Sequence, residues 1–241
     1  MKLIKTIGAA LYSGLLLFAI SCNQGDKKNV DDAVLKPDSD TTKKNVHTPK
    51  PANIMIIKHR VADFNKWLTA YKTDDSVRLI YGLHSYGVSR GIDDPSLVMV
   101  TLLVDDMHRA KEFASLPALK TKMKNAGVQE EPSIMYFDRQ ALDLSTNNVA
   151  VRVMVNHKVK DWDAWKKEFD SHHQARIDAG LIDRAVGYEA DNNKMVIIVA
   201  VVNDLKKAKT FFSSADLKNK MQVAGVEGEP TIFFYNLVKK F

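Results

Sequence analysis

The sequence predicts an α+β chain in which one β-α-β-β-α-β unit occurs twice. Two observations carry this prediction. Residues 54–137 align with residues 152–235 without a gap, and roughly 26 of about 84 aligned positions are identical. The third strand of each unit, at Leu97–Val104 and Met195–Val202, is apolar at almost every position. Because alternate side chains of a strand point to opposite faces, both faces of these strands must be buried.

The first strand of each unit leads into a helix. Asp63 is a helix N-cap, because its carboxylate can accept hydrogen bonds from the free amide groups of the first turn. Trp67, Leu68 and Tyr71 follow at spacings of three and four, which mark one buried face of the helix, and Gly82 ends it. The second unit has Asp161 and Gly180 at the aligned positions. We predict first strands at Ile54–His59 and Val151–His157, each followed by one continuous helix.

The remainder of each unit contains three strands and an interrupted helix. Turn residues precede the third strand, at Asp93–Pro95 and Asp191–Asn193. The following helix breaks at a serine, because serine caps a second short helix that ends at a glycine. The breaks fall at Ser115 and Ser213, and the glycines are Gly127 and Gly225. The second strands are predicted at Leu83–Arg90 and Leu181–Glu189, and the last strands at Ser133–Phe137 and Thr231–Tyr235.

Two helices per unit can cover only one face of the unit's sheet. A lone unit of about 85 residues would bury only ~60% of its unfolded surface and expose an apolar sheet face to water. The sheet of the sister unit can cover that face. We therefore predict two sheets packed face to face with helices outside, so that one chain forms a pseudo-dimer and is a monomer.

The amino terminus predicts export and anchoring. Lys2 and Lys5 precede the apolar segment Ile7–Ile20, which at about 14 residues is shorter than the ~20 needed to span a bilayer. Ala19-Ile20-Ser21-Cys22 resembles the lipobox of bacterial lipoproteins, which implies cleavage before Cys22 and acylation of that cysteine with chains such as palmitate. A conventional signal peptide with an unrelated cysteine is the alternative. Cys22 is the only cysteine, so an intrachain disulfide is excluded.

These patterns divide the chain into five segments. They are a signal peptide (1–21), a lipidated cysteine with a disordered tether (22–52), a first unit (53–138), a linker (139–149) and a second unit (150–241). We expect a bacterial cell-envelope protein held on a membrane by its lipid, with the rest of the chain outside the cytoplasm. The net charge of +6 is spread over both signs and does not favour nucleic acid as a partner.

The unit order and the late Ala-Gly-Val and Pro pattern, at Ala126–Val128 and Pro132, are similar to the dimeric α+β barrel superfamily. That superfamily includes antibiotic-biosynthesis-monooxygenase-like domains and haem-degrading monooxygenases. The resemblance covers residues 53–238 and implies ferredoxin-like units, with pockets between sheet and helices or inside the barrel. It also implies that members without cofactors act on substrates that activate oxygen themselves. The haem-degrading branch uses Asn, Trp and His, and residues of these types occur at Asn156, Trp165 and His157.

Histidine and tryptophan recur at aligned positions and are candidate ligand-binding residues. His59 shares a strand face with Met55 and Ile57, and His157 occupies the aligned position. A histidine pair could transfer protons or contact a ligand, but a ring that bonds the nearby helix cap is the alternative. Trp67 and Trp165 could wall a pocket for a flat ligand or belong to the core.

The second strands carry further candidates that differ between the units. Tyr86 in the first unit, and Arg184 and Tyr188 in the second, are polar positions in predicted strands. They would give an asymmetric ligand site. Alternatively, these strands lie at sheet edges and stay polar to prevent aggregation. Arg78 and Arg176 lie near helix ends, where a cation complements the helix dipole.

The residues provide no complete cofactor or metal motif. Glu168 and His172 share a helix face, but two ligands are too few for a metal site, and none is predicted. No nucleotide loop or catalytic nucleophile motif occurs, and no cofactor is predicted. We therefore expect a binding protein for a small apolar or amphipathic ligand, or for an envelope protein partner. A cofactor-independent monooxygenase or a haem-handling enzyme is the alternative. A structural envelope protein without a ligand is a third possibility, and the residues leave all three open.

Overall fold

A computed structural model describes residues 53–143 and 149–241 of the chain. These residues form eight strands and eight helices. The strands are β1 (Asn53–Arg60), β2 (Leu83–Gly91), β3 (Leu97–Val104), β4 (Ser133–Leu142), β5 (Val151–Val159), β6 (Leu181–Glu189), β7 (Asn192–Val202) and β8 (Val226–Lys240). The helices are α1 (Phe64–Thr73), α2 (Asp75–Ile80), α3 (Met107–Ser115), α4 (Pro117–Asn125), α5 (Trp162–Ser171), α6 (His173–Asp178), α7 (Leu205–Phe212) and α8 (Ala215–Val223).

The eight strands close into one antiparallel barrel in the order β1-β3-β2-β8-β5-β7-β6-β4. The first half of the described chain, β1 to β4, contributes four neighbouring strands, and the second half, β5 to β8, contributes the other four. The halves join where β2 pairs with β8 and where β4 pairs with β6. The α+β class is therefore confirmed, and the eight described strands form one closed sheet.

Three apolar clusters show that both faces of the sheet are covered. One cluster lies between the first-half strands and their helices, and a second lies at the same place in the second half. The third fills part of the barrel lumen and consists of strand residues alone. In β3, Val98 and Val100 belong to the first cluster while Met99 belongs to the lumen cluster. The expectation that this strand is dry on both faces is confirmed.

The predicted first helix is wrong in one respect, because the structure contains two helices there in each half. In the first half, α1 ends at Thr73, the backbone of Asp74 leaves the helical region, and α2 begins at Asp75. The buried guanidinium of Arg78 donates from Nη2 to the carbonyl oxygen of Tyr71 at 2.8 Å. It thereby satisfies a backbone acceptor at the end of α1, which a single straight helix would have paired internally.

The predicted second break is present, but its capping residues differ. In the first half Leu116, not Ser115, precedes α4, and Pro117 opens that helix. Proline suits this position because its missing N–H is one that a helix start leaves unpaired anyway. In the second half Ser214, not Ser213, is the cap, and its hydroxyl accepts from the amide of Leu217 at 3.2 Å.

The interpretation of the second strands as sheet edges is wrong. β2 lies between β3 and β8, and β6 lies between β7 and β4, so each has a partner on both sides. The last strands are also longer than predicted, because β4 and β8 continue along the strands of the opposite half.

Several sequence predictions fall outside the described residues. They are the signal peptide, Cys22 with its lipid, the tether and residues 144–148 of the linker. Within residues 53–143 and 149–241, the helices are all too short or too polar to cross a bilayer.

Candidate functional site

A buried histidine packs at a tilt against a buried tryptophan at the same place in each half. His59 and His157 lie on β1 and β5 and point toward the helices, where they are 1% and 6% exposed. The rings of His59 and Trp67 are 5.4 Å apart at 58°, and those of His157 and Trp165 are 5.4 Å apart at 59°. The strand supplies the histidine and the first helix supplies the tryptophan, so the sheet–helix packing itself fixes the pair.

Neither histidine ring has a hydrogen-bond partner. All four ring nitrogens are buried and unpaired. The expectation that the ring could bond the helix cap is wrong, because the carboxylate of Asp63 accepts from the amides of Asn65 and Lys66 at 2.8 and 3.0 Å. Burial lowers the pKa of His59 to about 4, against a smaller opposing effect of Glu130, and burial lowers the pKa of His157 to about 4. Both rings are therefore neutral at pH 7.

His59 and Trp67 face a cavity of about 300 Å³ between sheet and helices, which we call the first cavity. Most of its walls are apolar, as in small-molecule sites generally. The polar groups on its wall include Arg78, which is 4% exposed and stacks 3.8 Å from the ring of Tyr71. The buried Nε of Arg78 has no hydrogen-bond partner. The first cavity therefore combines stacked aromatic rings with unpaired donors.

His157 and Trp165 face a corresponding second cavity of only about 90 Å³. Phe211 and Phe212 line it, and the ring of Phe212 packs edge-on against Phe234 at 5.8 Å. Phe212 aligns with Ala114 of the first half. The first half therefore has a methyl group where the second half has an aromatic ring. The same backbone frame is therefore open in one half and largely filled in the other.

The buried arginine of the second half is also held more tightly than its counterpart. Nε and Nη2 of Arg176 donate to the two carboxylate oxygens of Asp183 at 2.9 and 2.7 Å, and Nη1 donates to the carbonyl oxygen of Phe169 at 2.6 Å. In the first half Ser85 occupies the position of Asp183. Besides the carbonyl oxygen of Tyr71, Arg78 has the half-exposed carboxylate of Asp75 as a partner, in a single contact at 3.1 Å. Arg78 is thus the more available cation for a ligand.

The seven candidate ligand residues do not form one site. His59 with Trp67, and His157 with Trp165, line the two separate cavities. Tyr86 and Arg184 line the barrel lumen, on the opposite face of the sheet. Tyr188 lies on the outside, where its ring packs at 87° against Trp162 at 4.8 Å. The candidate residues are therefore divided among the two outer cavities, the lumen and the outer face of the sheet.

The residue types of the haem-degrading branch are not brought together. Asn156 points into the lumen, where its amide nitrogen lies 3.0 Å from the sulfur of Met135, while His157 points outward. A haem macrocycle also exceeds both outer cavities in size. The residues present therefore do not fit haem, and no step through it is derived.

Metal coordination finds no support among the described residues, which include no group of three His, Cys, Asp or Glu side chains placed to hold an ion. His172 and Glu168 lie near the surface of the second half.

Sequence reasoning missed the importance of five positions to these cavities. Arg78 was placed at a helix end, but only the fold shows it buried beneath the helices. Phe212 lines the second cavity, and the alignment pairs this large residue with the small Ala114 of the first half. Arg139 and Arg152 line the lumen, and their aligned partners Leu237 and Ile54 are apolar. An arginine aligned with an aliphatic residue in a strand was the available signal.

Comparison with known proteins supports the fold but assigns no family. No family model matches the chain. No curated protein matches it either. A solved anthrone oxidase-like protein superposes with a TM-score of 0.53 at 12% identity, over 79% of this chain and 92% of that one. A proposed monooxygenase from Fusobacterium nucleatum gives 0.50 at 12% identity, over 78% and 93% of the chains. A proposed chlorite dismutase gives 0.50 at 15% identity, over 78% and 96%. The fold is thus that of the monooxygenase-like ferredoxin-fold proteins.

Proposed function

We propose that this chain is a lipid-anchored envelope protein whose first cavity binds a small, flat, apolar or amphipathic ligand. The observation that carries this is the unpaired His59 ring, packed at a tilt against Trp67 and facing an apolar cavity of about 300 Å³. Buried polar groups in proteins are normally paired, so a donor without a partner at a cavity wall is suited to a ligand's acceptor. The Nε of Arg78 offers a second such donor.

The chemistry of the site favours binding over catalysis. An effective general base has a pKa near the working pH. Burial lowers the pKa of His59 to about 4, so the ring is neutral at pH 7 but holds an abstracted proton poorly. Within the described residues, the first cavity has one carboxylate on its wall, Asp74, and Lys122 of the same wall binds it. A neutral imidazole can still donate one hydrogen bond and accept another, which orients a bound molecule.

Anchoring of the protein at a membrane is part of the same proposal and rests on the sequence. Lys2, Lys5 and the apolar segment Ile7–Ile20 precede Cys22 in the order of a lipoprotein signal. Several acyl chains hold a protein stably, because each buried CH₂ contributes ~0.8 kcal/mol. We expect metabolic palmitate labelling of the wild-type chain in a bacterial host and none in Cys22→Ser. Labelling that survives in Cys22→Ser would refute lipidation at this residue.

We also propose that the chain arose by tandem duplication of one ferredoxin-like unit, so that a single molecule closes the barrel. The ungapped alignment and the same order of elements in both halves support this. Because β2 pairs with β8 and β4 with β6, the described strands have their pairing partners within one chain. Light scattering of the purified chain is expected to give a monomer, and a stable dimer at micromolar concentration would contradict this.

A second candidate function is cofactor-independent oxidation of the bound ligand, favoured by the neutral His59 in the cavity and by the likeness of fold to an anthrone oxidase-like protein. In such a reaction a ring methylene loses two hydrogens, one oxygen atom of O₂ forms its carbonyl, and the other leaves as water. His59 would accept the first proton.

Anthrone is a suitable probe for both functions, because it is flat, apolar and oxidised by O₂ to anthraquinone and water. We expect calorimetry to show saturable anthrone binding that weakens about tenfold or more in His59→Phe and is unchanged in His157→Phe. Loss of affinity in neither variant would refute the first-cavity proposal. Oxygen uptake with anthrone separates the candidates, since turnover that disappears in His59→Phe or His157→Phe would establish an enzyme and overturn the non-catalytic reading.

A further inference from the structure

The barrel lumen contains a cavity of about 240 Å³ that is separate from the two outer cavities. It lies inside the ring of strands, whereas the outer cavities lie between strands and helices. Most of its walls are aliphatic, aromatic or thioether side chains. The apolar members of the wall are Ile54, Ile56, Met99, Leu103, Phe137, Leu142, Met154, Ala185, Val199 and Leu237.

Three arginines line this lumen cavity at one end of the barrel. They are Arg139, Arg152 and Arg184. Arg152 lies at the start of β5 beside Val201 near the end of β7, and Arg139 lies in the last part of β4 beside Gly187. In an antiparallel barrel the start of one strand and the end of its neighbour meet at the same rim. The three guanidinium groups therefore converge from three different strands.

Two β-bulges shape this end of the lumen. The register of β2 against β3 shifts between Ser85 and Gly87, and that of β6 against β7 shifts between Asp183 and Ala185. The residues at the shifts are Tyr86 and Arg184, and both line the lumen cavity. A bulge redirects a side chain out of the normal alternation. Both halves therefore have a bulge here, but the bulge residue is the neutral Tyr86 in the first half and the cationic Arg184 in the second.

Two of the three arginines at this end of the lumen cavity have no carboxylate partner among the described residues. The cavity wall includes no aspartate or glutamate. Arg184 has Asp143 at 3.8 Å, which neutralises one charge in part. Among the described residues, neither Arg139 nor Arg152 has a carboxylate oxygen within 4.0 Å. The Nε of Arg139 is buried without a partner, and burial lowers the pKa of this group. Desolvated cations without a counter-ion are costly, and a bound anion would remove that cost.

The deeper part of the lumen cavity suits the apolar part of such an anion. Met99, Met154 and Phe137 belong to the lumen cluster and are nearly fully buried. Tyr235 is 4% exposed, and burial raises the pKa of its phenol, which therefore remains a neutral donor. Tyr86 is 40% exposed and lies at the mouth. One end of the lumen cavity is thus cationic and the other is apolar.

We infer that the lumen binds a small organic carboxylate, with its head group at Arg139 and Arg152 and its short apolar tail among Met99, Met154 and Phe137. The site is independent of the first cavity and would stand if that proposal failed. A volume of about 240 Å³ is below the ~300–1,000 Å³ typical of drug-sized ligands. A medium-chain fatty acid anion is therefore the class of ligand expected.

Calorimetric titration of the purified chain with octanoate and with octanol tests this inference. Octanoate is expected to bind at one site and at least tenfold more tightly than octanol. Arg139→Leu and Arg152→Ile introduce the residues that the other half has at the aligned positions, and each should weaken octanoate binding tenfold or more. Lys206→Leu is the control, because it removes one positive charge at an exposed position on α7, and it should have no effect on octanoate binding. Arg139→Lys and Arg152→Lys preserve the charge and should retain most of the affinity.

Three results would overturn the inference. They are equal affinity for octanoate and octanol, unchanged octanoate affinity in both arginine-to-aliphatic variants, and a loss in Lys206→Leu as large as in those variants. If an aliphatic variant fails to fold, the lysine variants and the octanol comparison decide the question. Octanoate binding should be unchanged in His59→Phe, whereas anthrone binding should be unchanged in Arg152→Ile, so failure at one site is distinguishable from failure at the other.

Discussion

The two outer cavities share one frame and differ in what fills it. Each has a buried histidine and tryptophan in the same tilted ring contact and a buried arginine on an aromatic ring. The first cavity measures about 300 Å³ and the second about 90 Å³. Phe212 opposite Ala114 accounts for part of this difference. The comparison indicates that a frame retained in both halves serves packing in the second and leaves room for a ligand in the first.

The largest expected effect is a difference in stability between variants of the two buried tryptophans, Trp165 and Trp67. Trp165→Ala is expected to lower the free energy of unfolding by about 3–5 kcal/mol, because it removes a buried ring beside a largely filled cavity. Trp67→Ala should cost less than Trp165→Ala, since Trp67 already borders an open cavity and gives up fewer contacts. Urea unfolding of both variants measures the difference. An equal or larger loss for Trp67→Ala would contradict the distinction between an open and a filled cavity.

The histidines make stability depend on pH in both halves. Their folded pKa values of about 4 lie below the unfolded value of 6.5, so only the unfolded chain takes up these protons between the two. Each histidine's contribution is therefore complete above pH 6.5 and is lost as the pH falls toward 4, by roughly 3 kcal/mol at most. His59→Phe and His157→Phe should each flatten the dependence of unfolding free energy on pH by a similar amount. A profile unchanged by either variant would show that the ring is not buried and neutral.

The arginines should differ in their effect on stability. Arg176→Met leaves Asp183 without its bidentate partner at a carboxylate only 21% exposed, and should cost about 2 kcal/mol. Arg78→Met leaves Asp75, which is 50% exposed and can be solvated, and should cost about 1 kcal/mol or less. Thermal and urea unfolding provide the comparison. If Arg78→Met proved the more damaging, Arg78 would be a structural residue and not a donor held available for a ligand.

The smallest expected effect comes from exchanging the aligned side chains at positions 114 and 212 between the two halves. Ala114→Phe places in the first half the ring that the second half carries, and should weaken anthrone binding about tenfold, or ~1.4 kcal/mol. Phe212→Ala enlarges the second cavity and should leave the first-site affinity unchanged. Calorimetry measures both. Unaltered affinity in a folded Ala114→Phe variant would show that anthrone does not use the first cavity.

The sequence predicted what depends on local pattern. The predicted bounds of β3 at Leu97–Val104 were correct, because a short unbroken apolar run that follows turn residues predicts a buried strand. The break between α1 and α2 was missed, since the contact that favours it, from Arg78 to the carbonyl of Tyr71, joins residues across the bend. The extension of β8 beyond Tyr235 was missed because its partner for that stretch, β2, belongs to the other half.

The candidate sites followed the same division. His59 and Trp67 were predicted because both recur at aligned positions, and they do meet. Tyr86 and Arg184 were predicted as polar strand residues, but only the bulges and barrel closure show that both line the lumen. Arg139 was missed, because it lies where the alignment had ended and a linker was expected. Cavity volume depends on three-dimensional packing and had no sequence signal of its own.

The most direct test of binding in the first cavity uses tryptophan fluorescence. The first half contains one tryptophan, Trp67, and the second contains Trp162 and Trp165. In the double variant Trp162→Phe, Trp165→Phe, anthrone is expected to quench the single remaining fluorophore saturably, with the affinity that calorimetry gives for the wild-type chain. In Trp67→Phe, no saturable quenching is expected. Saturable quenching in Trp67→Phe, with none in the double variant, would contradict the proposal and place the ligand in the second half.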